Sequence, residues 1–391
     1  MKRLIFLTVA LVYCGVISAF DWKPKPNKEL FADMIAYAEL FKADAAGTAA
    51  EPLLADFLSK AEKKFRSDEY AWVYDVYALC AKLETLFPPR IDDGSVEAEI
   101  RRHILRLIDF PVHLDNLGTN AGERAKSVFA ISRDRYRENA ALAAVKWLKS
   151  VNPSVGELAI FKVYNMGFIL KTSERTIAVD PCFLVSESAV KSLVKEIDAF
   201  FITHPHGDHY SDNVINEIAR QGKVLVSSYD VAPYYRVPHK YIIWENVFEP
   251  FNIGGIDVRI LAGHQNRSCA AAMPNNVYNL TFDGWTFVTN GDNSDMELQS
   301  GVSEMPVPDI MTAASWNKPQ VLQDNVRLCE GWVEGRTVFI PSHENEFGHR
   351  VQQRESYWEA FTREDRYNNP EFDYFPMLLM DIGEGWILKR Q

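Results

Sequence analysis

Six consecutive residues, His204-Pro205-His206-Gly207-Asp208-His209, gather three of the chain's nine histidines beside a carboxylate. Imidazole nitrogen and carboxylate oxygen are the ligands that zinc and neighbouring divalent ions take. A straight strand would send alternate side chains to opposite faces. Pro205 and Gly207 break the extended run, so the segment reads as a tight loop that aims its side chains at common centres. His204 and His206 would then meet one ion, and Asp208 and His209 a second. The bland alternative is an exposed histidine-rich loop, and so dense a set of ligands argues against it.

Four ligands in one loop do not close two metal sites, so further ones must come from elsewhere. Three candidates sit just beyond runs that read as strands. His264 follows Ile256 to Leu261 through Ala262-Gly263, Asp292 follows Thr286 to Thr289 through Asn290-Gly291, and His343 follows Thr337 to Ile340 through Pro341-Ser342. Each has a rival reading. His239, in Val237-Pro238-His239, competes with His264 but lacks the strand-end setting. Asp292 in Gly-Asp-Asn is also good turn chemistry. His349 competes with His343 and, if it is not a ligand, lines the pocket or donates a proton.

The elements that must position these residues change character along the chain. From about residue 28 to 150 the apolar spacing is helical: Val96, Ile100, Ile104, Leu107 and Ile108 share one face, as do Tyr70, Val73, Val76, Tyr77, Cys80 and Leu83, and Ala121 to Ser150 reads as one long helix. Pro88-Pro89 ends the second of these. No chemical motif falls in this part, and His103 and His113 read as structural or surface residues. Beyond Pro153 short runs rich in β-branched and aromatic residues alternate with helical ones. Strands are expected at Ala159 to Tyr164, Phe168 to Lys171, Thr176 to Val179, Ala199 to Thr203, Val224 to Ser227 and Val277 to Phe282. Helices are expected over Ser186 to Ile197, from Ser211 or Asp212 to Gln221, and near Val351 to Phe361, with a closing hairpin around Gly383. That order indicates a layered α/β domain.

With these residues in place, the sequence resembles the metallo-β-lactamase fold superfamily, through the His204–His209 loop followed in order by His264, Gly291-Asp292 and His343, with Asp180-Pro181 matching its first acidic motif. Tyr164-Asn165-Met166-Gly167 and Gly291-Asp292-Asn293 are similar, more loosely, to the branch with ascorbate-phosphate lactonases and N-acyl-phosphatidylethanolamine phospholipase D. The resemblance runs from about Leu158 to the C-terminus. It implies a four-layer αββα sandwich, preceded here by an all-helical segment. It implies His204, His206 and His264 on a first metal, Asp208, His209 and His343 on a second, Asp292 bridging, and Asp180 behind them orienting the ligand loop. Aspartate at 292 departs from true β-lactamases, which carry cysteine there. Two divalent ions, zinc first with Mn²⁺ or Fe²⁺ as alternatives, would supply a hydroxide that cleaves an ester, lactone or phosphodiester-type bond in a small molecule, with Asp208, Asp292 and His349 in catalytic roles. The same fold also hosts non-haem iron oxidoreductases, and a binding protein that keeps the metal without catalysis is a third reading. Tyr210, Asn266, Arg267, Asn293, Trp316, Glu344 and Asn345 are candidate substrate contacts.

Composition bounds the rest. A chain of 391 residues, 47% hydrophobic and 24% charged, has material for a large core, which excludes a disordered or disulfide-dense chain. A net charge of −11 disfavours broad nucleic-acid binding. Lys2-Arg3, the apolar run Leu4 to Val16 and Ile17-Ser18-Ala19 read as a secretory signal too short for a stable span, so a periplasmic or secreted protein is expected. The organisation expected is a signal over 1–19, a helical segment over 20–153 and the hydrolase-like domain over 154–391. Four scattered cysteines, Cys80, Cys182, Cys269 and Cys329, read as buried thiols for the most part.

Overall fold

The computed structural model describes residues 25–87, 95–112, 114, 138–182, 186–227, 242–243, 249–265, 273–295, 299–314, 317, 319–343, 356–369, 371, 375–380 and 382–390. The expected leader and Cys14, His113, His239, Asn266, Arg267, Cys269, Trp316, Glu344, Asn345 and His349 lie outside them. Among the described residues no helix is long and apolar enough to cross a membrane.

Among the described residues thirteen strands form two sheets. They are β1 (Glu157–Tyr164), β2 (Gly167–Lys171), β3 (Thr176–Val179), β4 (Ala199–Ile202), β5 (Val224–Ser227), β6 (Ile242–Ile243), β7 (Phe251–Ile253), β8 (Ile256–Gln265), β9 (Met273–Phe282), β10 (Trp285–Thr289), β11 (Ile310–Ala314), β12 (Val338–Ser342) and β13 (Gly385–Lys389). The first sheet runs β13-β1-β2-β3-β4-β5-β6, parallel from β3 to β6. The second runs β12-β11-β10-β9-β8-β7, parallel from β10 to β12. Pro341 is tolerated in β12 because that strand is an edge and needs no second set of donors.

Side-chain alternation explains the layering. Leu158, Ile160, Val179, Ala199 and Phe201 point from the first sheet into a shared core with Val258, Tyr278, Leu280 and Phe287 of the second. Their neighbours Phe161, Val163, Ala178, Phe200 and Ile202 face the other way, onto helices Glu187–Glu196, Asp212–Gln221 and 138–150. Leu322 and Val326 of helix Pro319–Arg327 cover the outer face of the second sheet over Val277, Val288 and Met311. The result is the αββα sandwich that the resemblance implies. Ser186 caps its helix by accepting the Ala189 N–H. Gly222, in the left-handed conformation at φ 65°, stops helix Asp212–Gln221.

Helices Asn27–Asp44, Ala50–Ser67, Ala71–Leu86 and Val96–Val112 build a separate apolar core. It reaches the sandwich through helix Tyr357–Tyr367. Trp358 inserts into that core, its indole edge-on to Tyr37 at 5.0 Å and its N–H donated to the Arg106 carbonyl. The Tyr357 N–H donates to Asp109 Oδ2 at 2.7 Å, a carboxylate at a helix N-terminus. Arg102 pairs with Glu364 at 3.0 Å and lies over the Phe361 ring. Replacing Trp358 with alanine is expected to cost about 3–5 kcal/mol, the usual loss for a large buried ring. Denaturant unfolding measures it, and a loss below about 1 kcal/mol would show that the two cores are not joined through this residue.

Candidate metal centre

Four parallel strands deliver their C-terminal ends to one edge of the sandwich. Asp180 follows β3, Thr203 and His204 follow β4, Asn290 to Asp292 follow β10, and His343 follows β12. The ends of parallel strands are where open α/β sheets gather ligands. Among the described residues, three of the four non-glycine residues with positive φ are here: Asn165 (51°), Asp180 (44°) and His343 (73°). Left-handed backbone costs a non-glycine residue of order 1–3 kcal/mol and persists where the surroundings enforce it.

Two groups of potential ligands result, sharing Asp292: Asp208, His209, Asp292 and His343 in one, and His204, His206 and Asp292 in the other. His343 Nε2 lies 2.9 Å from Asp208 Oδ2 and 3.5 Å from Asp292 Oδ2. His209 Nε2 lies 3.4 Å from Asp292 Oδ1, and His204 Nε2 lies 3.6 Å from Asp292 Oδ2. His204 Nε2, His209 Nε2 and Asp292 Oδ1 are buried and have no hydrogen-bond partner. Such orphaned polar atoms are costly in a dry site, and a cation bound in place of ring protons would take them. Their chemistry, imidazole with carboxylate, fits a divalent ion.

Asp180 lies behind the centre. Its Oδ1 accepts the Thr203 N–H and its Oδ2 the Thr203 hydroxyl, both at 2.7 Å. The same Oδ2 is 2.9 Å from His209 Nδ1, which turns His209 Nε2 toward the ligand group. Behind Asp292 stands Asn275, which sequence reasoning missed. It accepts the Asp292 N–H at 3.0 Å and donates to the Asn290 carbonyl at 3.1 Å. Gly291 between them has φ 50°, and a Cβ there would meet Asn275 Oδ1 at 2.6 Å and Thr203 Cβ at 3.0 Å.

His264 belongs to neither group. Strand β8 runs on through Gln265 rather than ending at Leu261. Alternation then separates His264 from its neighbour: Gln265 donates to Asp292 Oδ2 at 2.8 Å, whereas the His264 side chain is 40% exposed with Nδ1 3.8 Å from Asp295. Asn293 accepts the His264 and Asp295 N–H groups and so braces the loop. Tyr210 packs on the core beneath the helices. Cys80, Cys182 and Cys329 are buried thiols, and burial pushes Cys329 up to about 11.

Charge is finely opposed here. Burial raises Asp208, but His209 and His343 outweigh it and hold the carboxyl well below its usual range. Burial and then His343 and His209 act on Asp292 in the same way, and the net direction is again down. Burial lowers His209, yet Asp292, Asp208 and Asp180 together hold it well above the usual imidazole value; His343 is raised too, burial again being outweighed by Asp292 and Asp208. Burial pushes His204 well down and His206 down.

No family model matches the sequence, and no curated protein does. Solved structures share its outline at low identity. Igni18, a metallo hydrolase from the archaeon Ignicoccus hospitalis, is 16% identical with a TM-score of 0.45, covering 60% of this chain and 100% of that one. YhfI from Bacillus subtilis, a metallo-beta-lactamase fold protein, is 12% identical with a TM-score of 0.40, covering 60% and 100%. CmlA from Streptomyces venezuelae, a diiron beta-hydroxylase, is 12% identical with a TM-score of 0.40, covering 69% of this chain and 57% of that one. The residues of the centre, not these likenesses, carry the chemistry below.

Two outcomes are expected. The metal-free protein holds His209 and His343 above their unfolded value of about 6.5, so the stability they contribute is full below that value and is lost as pH rises through the folded ones. The depressed carboxyls contribute above about 3.9 and lose that contribution as pH falls. A metal needs both imidazoles neutral, so Zn²⁺ uptake at pH 7 should release protons, and affinity should weaken as pH falls. Calorimetry in buffers of different ionisation enthalpy measures this; zero release at pH 7 would contradict the assignment of these rings. Separately, Gly291→Ala should destabilise the fold by about 1–3 kcal/mol through overpacking and weaken metal uptake, read by unfolding and by metal analysis.

Proposed function

We propose that this chain is a metal-dependent hydrolase of small molecules, working with two divalent ions, zinc in the first instance, on an ester, lactone or phosphodiester-type bond. The observation that supports it best is the convergence of His204, His209 and Asp292 atoms, buried and unsatisfied, beside Asp208 and His343. Once bound, two such ions supply a Lewis acid for the scissile carbonyl or phosphoryl oxygen and bring the pKa of bound water from 15.7 to about 7. The residues do the remainder. Asp292, shared by both ligand groups, sets the spacing between them. Asp180 and Thr203 hold His209 in one tautomer and one orientation. Asp208, kept ionised by its histidines, would present a charged carboxylate oxygen to its ion. His264, 40% exposed with Nδ1 3.8 Å from Asp295, keeps the assignment to the first ion that the resemblance implies. Asn266, Arg267, Trp316 and His349 are assigned to the substrate side, Arg267 as partner for an anionic group. The leader-like N-terminus supports an exported protein.

Purified protein should carry about two equivalents of metal per chain and hydrolyse members of a panel of chromogenic esters, lactones and phosphodiesters. His206→Ala and Asp208→Ala should each lower kcat by at least about 100-fold, the scale of losing one group that stabilises the transition state. Full hydrolysis after chelation would sink the proposal. Iron as isolated together with oxygen consumption would replace it with the oxidoreductase reading.

A further inference from the structure

Asp208 Oδ2, which His343 and His209 approach at 2.9 and 3.5 Å, takes a further partner that is not a metal-ligand candidate. Asn165 Nδ2 lies 2.9 Å from Asp208 Oδ2 and 3.5 Å from the Asp208 carbonyl. Cys182 donates its thiol to that same carbonyl. Asn165 is 1% exposed, and its Oδ1 is buried with no hydrogen-bond partner. A turn that merely needed a polar residue would leave the amide in water or bonded to its own backbone. Here the amide satisfies only its nitrogen, and the reversed amide would set oxygen against a carboxylate, so the donor orientation is the one required.

The backbone brings the residue there. Asn165 and Met166 form a two-residue hairpin turn between β1 and β2, in which Tyr164 pairs with Gly167. Asn165 adopts φ 51°, a conformation asparagine and glycine accept most readily. Gly167 is required for a different reason: a Cβ there would meet the Asp180 carbonyl oxygen at 2.7 Å and that of Tyr164 at 2.9 Å. The missing side chain seats the hairpin against the backbone of Asp180, one residue from Pro181-Cys182. The turn and the segment after β3 thus both reach Asp208, one at its carboxylate and one at its carbonyl.

We infer that Asn165 is a positioning residue for Asp208: its amide donates to Oδ2 and fixes the carboxylate's orientation toward the Asp208, His209, Asp292 and His343 group. This rests on the metallohydrolase reading. The chemistry it serves is selective. Hydrogen bonds to the ionised carboxylate favour that form, and a carboxylate turned by an outside donor presents a defined lone pair to an ion. Among the described residues Asn165 makes its side-chain hydrogen bonds to Asp208 and none to His204 or His206.

Asn165→Gly separates the side chain from the turn, because glycine keeps the left-handed backbone. Wild type and variant are titrated with Zn²⁺ against a chromophoric chelator and with Co²⁺ by visible absorption, with the unfolding midpoint as a control. The expected result is one Zn²⁺ equivalent bound as in wild type, the other weakened about 10- to 100-fold, and an altered Co²⁺ spectrum for the weakened equivalent alone. Should the glycine variant fail to fold, Asn165→Ser, whose hydroxyl is too short to reach Oδ2, takes its place in the same titrations. Two equivalents within about twofold of wild type, a superimposable Co²⁺ spectrum, or equal weakening of both equivalents overturns the inference. A wild type that binds neither ion overturns the metallohydrolase reading, and this inference with it.

Discussion

Two buried carboxylates, Asp208 and Asp292, lie within 2.9 and 3.5 Å of one imidazole nitrogen, His343 Nε2. Bringing both charges out of water is the constraint on which the rest of the centre depends. An isolated ionised carboxylate in a dry interior neutralises itself by shifting its pKa. Neither does so here: each is held low against burial by facing imidazoles. His209 and His343, held up by those carboxylates, balance them, while His204 is too deeply buried to keep a proton. A divalent ion is the species whose charge and ligand preference can replace the protons of His209 and His343.

That requirement accounts for features distant from the ligands. Strained backbone at Asp180 and His343 would be pure cost in an ordinary loop. It survives because each strained residue ends a strand of a sheet whose two faces are both packed, so local relaxation would break the core. The sheets are tied together close to the centre as well: the Tyr278 hydroxyl of β9 donates to the Ile202 carbonyl at the end of β4. Ligands from the first sheet and ligands from the second thus share one rigid frame, as a site with tight geometric tolerance needs.

Much of this was legible in the sequence because its strongest signals are local. The histidine loop, the strand-end placement of Asp292 and His343, and the alternating runs of β1 to β5 depend on neighbours a few residues away. What was passed over or read short has non-local causes. β11 (Ile-Met-Thr-Ala-Ala) is a short fully buried parallel strand, and such runs lack the polar alternation that marks a strand. Helix Pro319–Arg327 opens on a proline and is brief. β8 continues past Leu261 through Ala262-Gly263, which read as a terminator, and in a period-two element that extension decides which of His264 and Gln265 meets Asp292. Asn275, Thr203 and Cys182 act through hydrogen bonds to residues brought close only by the sheets, and no spacing rule reports those.

The helical segment has the least legible role, yet its attachment is specific. Helix Tyr357–Tyr367 takes up the chain beyond the segment that follows His343, and its first residues are gripped from the other core: Tyr357 by Asp109, Trp358 by Tyr37 and the Arg106 carbonyl. His343 is held at the opposite end by β12 and by Asp208. A helical unit without chemical residues of its own is thus tied to the sandwich at the first residues of that helix. Helix Val96–Val112 accordingly directs its buried charge, Asp109 and Arg106, at helix Tyr357–Tyr367.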